Sequence, residues 1–267
     1  MRPALRWLVA FAFTLGVGLW QRLTGPTWPV SGSLRLSTGT VVSYHLPRSA
    51  PTGEPLRVAV RLEEGTAVGR LRWKRFPSRE PWRYLSLREE GGQLVAALPH
   101  LPAAGKLAYQ FLLQSEGGTG EEVAVPGKAV VLRFKNPVPT GLLLAHVVAM
   151  FVAVLFALRA GLALVFREAN PRQWAWPTLA ALVVGGLILG PLVQKAAFGA
   201  LWTGFPFGRD LTDNKTLLMV LAWAWPALRR NAGRRAVGAA LLVALLVLAI
   251  PHSLFGSELR WEAEEGL

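Results

Sequence analysis

Eight residues in the C-terminal half of the sequence could do chemistry in an apolar setting: His146, Gln194, Asp210, Asp213, Asn214, Lys215, His252 and Glu258. Two imidazoles and two carboxylates (His146, His252, Asp210 and Asp213) form a donor set for a transition metal such as zinc or copper. The two histidines, on separate helices, would equally suit the axial positions of a b-type haem. Each residue also has a structural reading. His146 can bond a neighbouring carbonyl, Asp213 or Thr212 can cap a helix N-terminus, and Lys215 can pair with Asp210 or Asp213. The catalytic side is bare: HExxH, nucleophile-elbow, P-loop and dinucleotide motifs are all absent. The chain has no cysteine, so disulfides, thiolate metal sites and iron–sulfur clusters are excluded. His45 and His100 lie elsewhere, near predicted turns, and read as surface residues.

The elements that carry the eight residues are apolar and long. Four spans are predicted, over about Gly141–Phe166, Trp174–Val193, Asp210–Leu228 and Ala236–Ile250. The second contains Gly186 and Gly190, a GxxxG pair that permits close helix approach. Thirteen residues separate Lys215 from Arg229, which is roughly 20 Å of helix against a hydrocarbon core of about 30 Å. Sixteen separate Arg235 from His252, or roughly 24 Å. This shortfall draws the polar ends of the last two spans into the membrane. With His146, Gln194 and Glu258 they form one level, where ionisable groups are costly and mark a site by default. Phe198–Phe207, with Trp202, reads as an amphipathic stretch at the interface. Arg159 lies deep in the first of these spans, toward its far end, and reads as a snorkelling side chain.

Ahead of these spans the pattern changes twice. Arg2 and Arg6 bracket the start of an apolar run from Trp7 to Trp20. A cleavable signal peptide would end in small residues, whereas Gly18-Leu19-Trp20-Gln21-Arg22 is bulky and basic, which favours an uncleaved signal anchor. From Ser31 to Asn136 the period is two. Leu56, Val58, Val60 and Leu62 make one apolar face, Leu71 and Trp73 another, then Leu107, Tyr109, Phe111 and Leu113, then Val130, Leu132 and Phe134. Turn signals at Pro47–Pro55, Gly91-Gly92, Pro102–Gly105 and Gly117–Gly120 separate six to eight predicted strands. The segment Leu101-Pro102-Ala103-Ala104-Gly105-Lys106-Leu107-Ala108-Tyr109-Gln110-Phe111 resembles the approach to a late strand in immunoglobulin-like and fibronectin type III domains. The resemblance implies an antiparallel sandwich, with Tyr109 packed under the preceding corner, and implies no activity.

The expected fold is therefore a membrane α-helical bundle with an inserted all-β Ig-like sandwich. Its parts are an N-terminal transmembrane anchor (1–24), the sandwich (28–137), a bundle of four transmembrane helices (140–256) and an acidic tail (257–267). Composition agrees: 52% of residues are hydrophobic, 17% are charged and the mean hydropathy is +0.35. The net charge of +13 comes largely from arginines in short loops. Arg167, Arg172 and the run Arg229–Arg235 place those loops in the cytoplasm by the positive-inside rule, which argues against a nucleic-acid partner. The N-terminus is then cytoplasmic, the sandwich and C-terminus lie outside, and the protein belongs to the cell (inner) membrane. Trp174, Trp176, Trp223 and Trp225 fall at the cytoplasmic interface. The leading expectation for function is a non-catalytic accessory or assembly subunit with a protein partner in the membrane or outside the cytoplasm. A metal- or haem-binding redox protein is the alternative. A small transporter ranks third, because four spans without an internal repeat do not build the usual inverted-repeat transporter.

Overall fold

The structure, a computed structural model, describes residues 2–37, 39–115, 121–251 and 256. The chain divides into two compact units, a helical one formed by the residues up to Pro26 and from Pro137 on, and a β unit spanning Thr27–Asn136. His252 and Glu258, and the tail after them, lie outside the described residues.

In the helical unit, α1 (Pro3–Thr24), α2 (Thr140–Val165), α3 (Pro171–Phe198), α4 (Leu211–Leu228) and α5 (Arg234–Ala249) are the helices among the described residues. The first three are long and apolar enough to cross a membrane. The last two are 18 and 16 residues long, and α4 opens on the polar turn that contains Asp213, Asn214 and Lys215. Small residues let the helices approach. Ala153, Ala157 and Ala160 of α2, Ala227 of α4, and Ala240 and Ala244 of α5 line one core around the fully buried Trp223. Trp223 is thus a core residue and not part of an interfacial belt, whereas Trp176 and Trp225 are exposed. The first helix is more than a tether: Ala10 and Thr14 are buried, and Gly18 faces the ring of Phe151. Gln21 donates its side-chain amide to the Leu248 and Ile250 carbonyls.

Helix α3 is continuous but irregular. It starts as a 3₁₀ turn, and Val183–Leu189 widens into a π-helical stretch. Pro191 explains the widening, because its ring clashes with the carbonyl four residues back and it has no N–H to donate. The Gly190 N–H instead reaches five residues back to the Gly185 carbonyl. The glycines sit at helix contacts: a Cβ on Gly186 would fall 2.5 Å from the Thr216 methyl of α4.

The β unit has ten strands: β1 (Val30–Arg35), β2 (Val41–Leu46), β3 (Ser49–Pro51), β4 (Leu56–Glu64), β5 (Ala67–Arg75), β6 (Arg83–Ser86), β7 (Arg88–Glu90), β8 (Gln93–Leu98), β9 (Lys106–Ser115) and β10 (Val123–Lys135). They form two sheets, ordered β1-β2-β4-β8-β7 and β3-β10-β9-β5-β6. All pairings are antiparallel except β3 with β10, which is parallel. The alternating apolar faces of both sheets meet in one core. Val58, Val60, Leu71, Trp73, Tyr109, Phe111, Leu132 and Phe134, the inward set expected from period two, are all buried there.

Tyr109 is fully buried, and its hydroxyl donates to the Pro47 carbonyl at 2.9 Å. That carbonyl lies where the chain crosses from β2 in one sheet to β3 in the other, so the hydroxyl ties down that crossover. Desolvation raises the Tyr109 hydroxyl above its ordinary range and keeps it a donor, a shift that the nearby Arg48 charge opposes only in part.

Candidate functional site

The polar residues at the start of α4 converge on the loop that precedes it. Asp210 is the N-cap: its Oδ1 accepts from the Thr212 N–H at 2.8 Å, and its Oδ2 accepts from the Thr203 hydroxyl at 3.2 Å. One turn later, Asp213 Oδ2 accepts from the backbone N–H groups of Thr203 (2.7 Å) and Gly204 (2.9 Å) and from the Gln194 amide (3.2 Å). Gln194 also donates to the Thr203 hydroxyl at 2.7 Å. Asn214 Oδ1 accepts from the Phe205 N–H at 2.6 Å. Three successive backbone donors are thus bound by two adjacent side chains of one helix. Position 204 must be glycine for this approach, because a Cβ there would lie 2.5 Å from the Asp213 Cβ. Asp210 and Asp213 are only 7% and 6% exposed. The loop held this way presents Phe205 and Phe207, which are 66% and 83% exposed.

His146 and Lys215, the other described members of the predicted level, bond elsewhere. Lys215 pairs with neither Asp210 nor Asp213; its Nζ donates to the Ile250 carbonyl at 2.7 Å, beyond the end of α5. The His146 Nδ1 bonds the Gly185 carbonyl at 2.9 Å, on the π-helical stretch of α3. Among the described residues, no three histidine or acidic side chains are placed to share a metal ion. What the arrangement does chemically is satisfy the backbone of an irregular loop with buried acceptors, and buried backbone donors need such partners.

A second cluster, missed in the sequence, occupies the opposite end of the helices. Arg159 does not snorkel: its side chain is 5% exposed. Its Nη2 donates to both oxygens of Glu168, at 2.8 and 3.0 Å, and Glu168 also accepts from Arg6 of α1. Trp174 and Trp7 stack on the Arg159 guanidinium at 4.7 and 5.6 Å, and Phe156 packs on both rings. Among the described residues the Nε and Nη1 groups of Arg159 find no hydrogen-bond acceptor, and the negative faces of the two indoles offset part of that cost. Burial opposes ionisation of Glu168, but the hydrogen bonds and charges of Arg159 and Arg6 outweigh it and hold the carboxyl below its usual range. The available signal was composition: Glu168 is the only acidic residue between Gly141 and Arg209. Arginines in the first turns of α3 and α5 close the ends of neighbouring helices. Arg172 donates to the Pro226 and Ala227 carbonyls, and Arg234 to those of Leu164 and Glu168.

No protein-family model matches the chain, and no curated protein matches it.

Proposed function

We propose that this chain is a non-catalytic subunit of a cell-membrane complex. In this reading five helices cross the inner membrane with the N-terminus in the cytoplasm, and an Ig-like sandwich outside it binds a partner protein. The polar residues at the outer ends of the helices brace the loop before α4 and bind no cofactor. One observation carries the reading: Asp213 Oδ2 accepts from two backbone N–H groups and the Gln194 amide within the protein, which gives this buried carboxylate a structural role in holding the loop. The basic loops at Arg167–Arg172 and Arg229–Arg235 support the orientation. The strand order, with a parallel β3–β10 pair beside an antiparallel sheet, supports kinship with Ig-like sandwiches.

The test combines metal analysis and an optical spectrum of the purified protein with native electrophoresis of gently solubilised membranes. The expected result is no stoichiometric metal or haem, and migration in a complex larger than the chain alone. One metal or haem per chain, lost in Asp213→Asn or His146→Ala, would overturn the reading.

A further inference from the structure

The two sheets of the β unit carry charge very differently. The strands of β1-β2-β4-β8-β7 hold four arginines and four glutamates. Those of β3-β10-β9-β5-β6 hold nine lysines and arginines and no acidic residue. Leu71, Trp73, Leu107, Tyr109, Leu132 and Phe134 of the second sheet point into the core. Strand alternation therefore puts Arg70, Arg72, Lys74, Lys106, Arg133 and Lys135 on its outward face. Lys106 and Arg133 are direct cross-strand partners on that face. Glu122, just ahead of β10, pairs with Arg70 at 2.9 Å, and Glu80 pairs with Arg75 and Arg83, but these two carboxylates leave the sheet with an excess of positive charge, whereas the other sheet balances its charges within its strands.

We propose that this outward face docks an acidic segment of a partner polypeptide. The inference rests on reading the β unit as a partner-binding module, and it specifies the chemistry of the partner. Arg70, Arg72 and Lys74 recur at every second residue of β5, about 7 Å apart, which is also the spacing of alternate side chains in an extended peptide. The aromatic residues of the face already hold its cations. Arg70 lies 4.4 Å from the Tyr84 ring, and Arg72 and Lys74 lie 4.7 and 5.3 Å from that of Trp82. Those rings orient the cations. Arginine with tryptophan and tyrosine is the composition of protein-interface hot spots. Gln110 stiffens the centre: it is 1% exposed, accepts both Nε and Nη2 of Arg72, and donates to the Pro126 carbonyl.

The experiment uses the full chain in nanodiscs of neutral lipid. The probe is a fluorescent peptide of alternating glutamate and alanine, with a glutamine–alanine peptide as control, read by anisotropy. The glutamate peptide is expected to bind, the control to bind far more weakly, and binding to weaken from about 50 to about 300 mM salt as screening increases. The triple variant Arg70→Glu/Arg72→Glu/Lys74→Glu should weaken binding at least about tenfold. The same charge change on the other sheet, Arg57→Glu/Arg61→Glu/Arg88→Glu, should leave it within about threefold. Lys74→Gln/Lys106→Gln/Lys135→Gln, confined to charged side chains of the same face, provides a milder variant should the reversal disturb folding, and it too should weaken binding. Equal losses from both sheets would reduce the effect to net charge and overturn the proposal. So would a preference for phosphatidylglycerol vesicles, a sulfated glycan or an oligonucleotide over the peptide. The proposed function fails separately, if the native membranes yield no larger complex while peptide binding stands.

Discussion

Asp213 meets its partners at the cost of burying a carboxylate, so removing it leaves the Thr203 and Gly204 N–H groups without an acceptor. Asp213→Ala should therefore cost about 3 kcal/mol, the sum of a lost charge-assisted bond and an unsatisfied donor. Asp213→Asn keeps one acceptor oxygen and should cost about 1 kcal/mol. Thermal unfolding in detergent checks the order, and equal losses would mean that the loop does not depend on the acceptor. Glu168 makes a prediction in pH. Its carboxyl is held below the ordinary value of 4.5 by Arg159 and Arg6 against the opposing effect of burial. A depressed value means that the contribution to stability is complete above that ordinary value and is lost as pH falls through the folded one. Wild type should lose melting temperature below about pH 4.5, more steeply than Glu168→Gln, which has no proton to take up there. Parallel slopes for the two proteins would place the acid sensitivity elsewhere.

At the scale of elements, each sheet turns its apolar residues into one core that belongs to the β unit alone. Residues 28–137 should then fold as a separate domain with a strand-type circular dichroism spectrum and cooperative unfolding. Trp73 is 8% exposed in that core, and Trp73→Ala should cost about 3–5 kcal/mol. A helical or unfolded spectrum from the fragment would sink this expectation. Strand β9 is buried on both faces, because Ala108, Gln110 and Leu112 of its outward side are also covered. The irregularity of β10 between Val125 and Val130 brings the Pro126 carbonyl over Gln110. In α3, Pro191 and three glycines replace regular helix with a wider turn, and His146 bonds the Gly185 carbonyl within it.

For the whole molecule, the number of crossings is decided by two short helices. If α4 and α5 cross as a pair, a reporter active only outside the cytoplasm should be silent when inserted within Asn231–Gly233 and active after Leu267. If only α1, α2 and α3 cross, both fusions should be active. Activity at Asn231–Gly233 would therefore remove two of the five proposed spans.

Period two in Leu71–Trp73 and Leu107–Leu113 was legible without coordinates, because burial of one strand face imposes it on the sequence. So were the apolar runs that became α1, α2 and α3, since a span long enough for a bilayer leaves a composition that no other element needs. The site was legible as residue types at one depth and no further. Asp213 finds Thr203 and Gly204 nine or ten residues back, Lys215 finds Ile250 thirty-five residues on, and Glu168 finds Arg6 across 162. Hydrogen bonding is short-ranged and directional, so the partner of a buried charge depends on which helices pack together and at what rotation. Composition and periodicity carry neither, and only the tertiary structure decided that these carboxylates hold backbone and guanidinium groups of the protein itself.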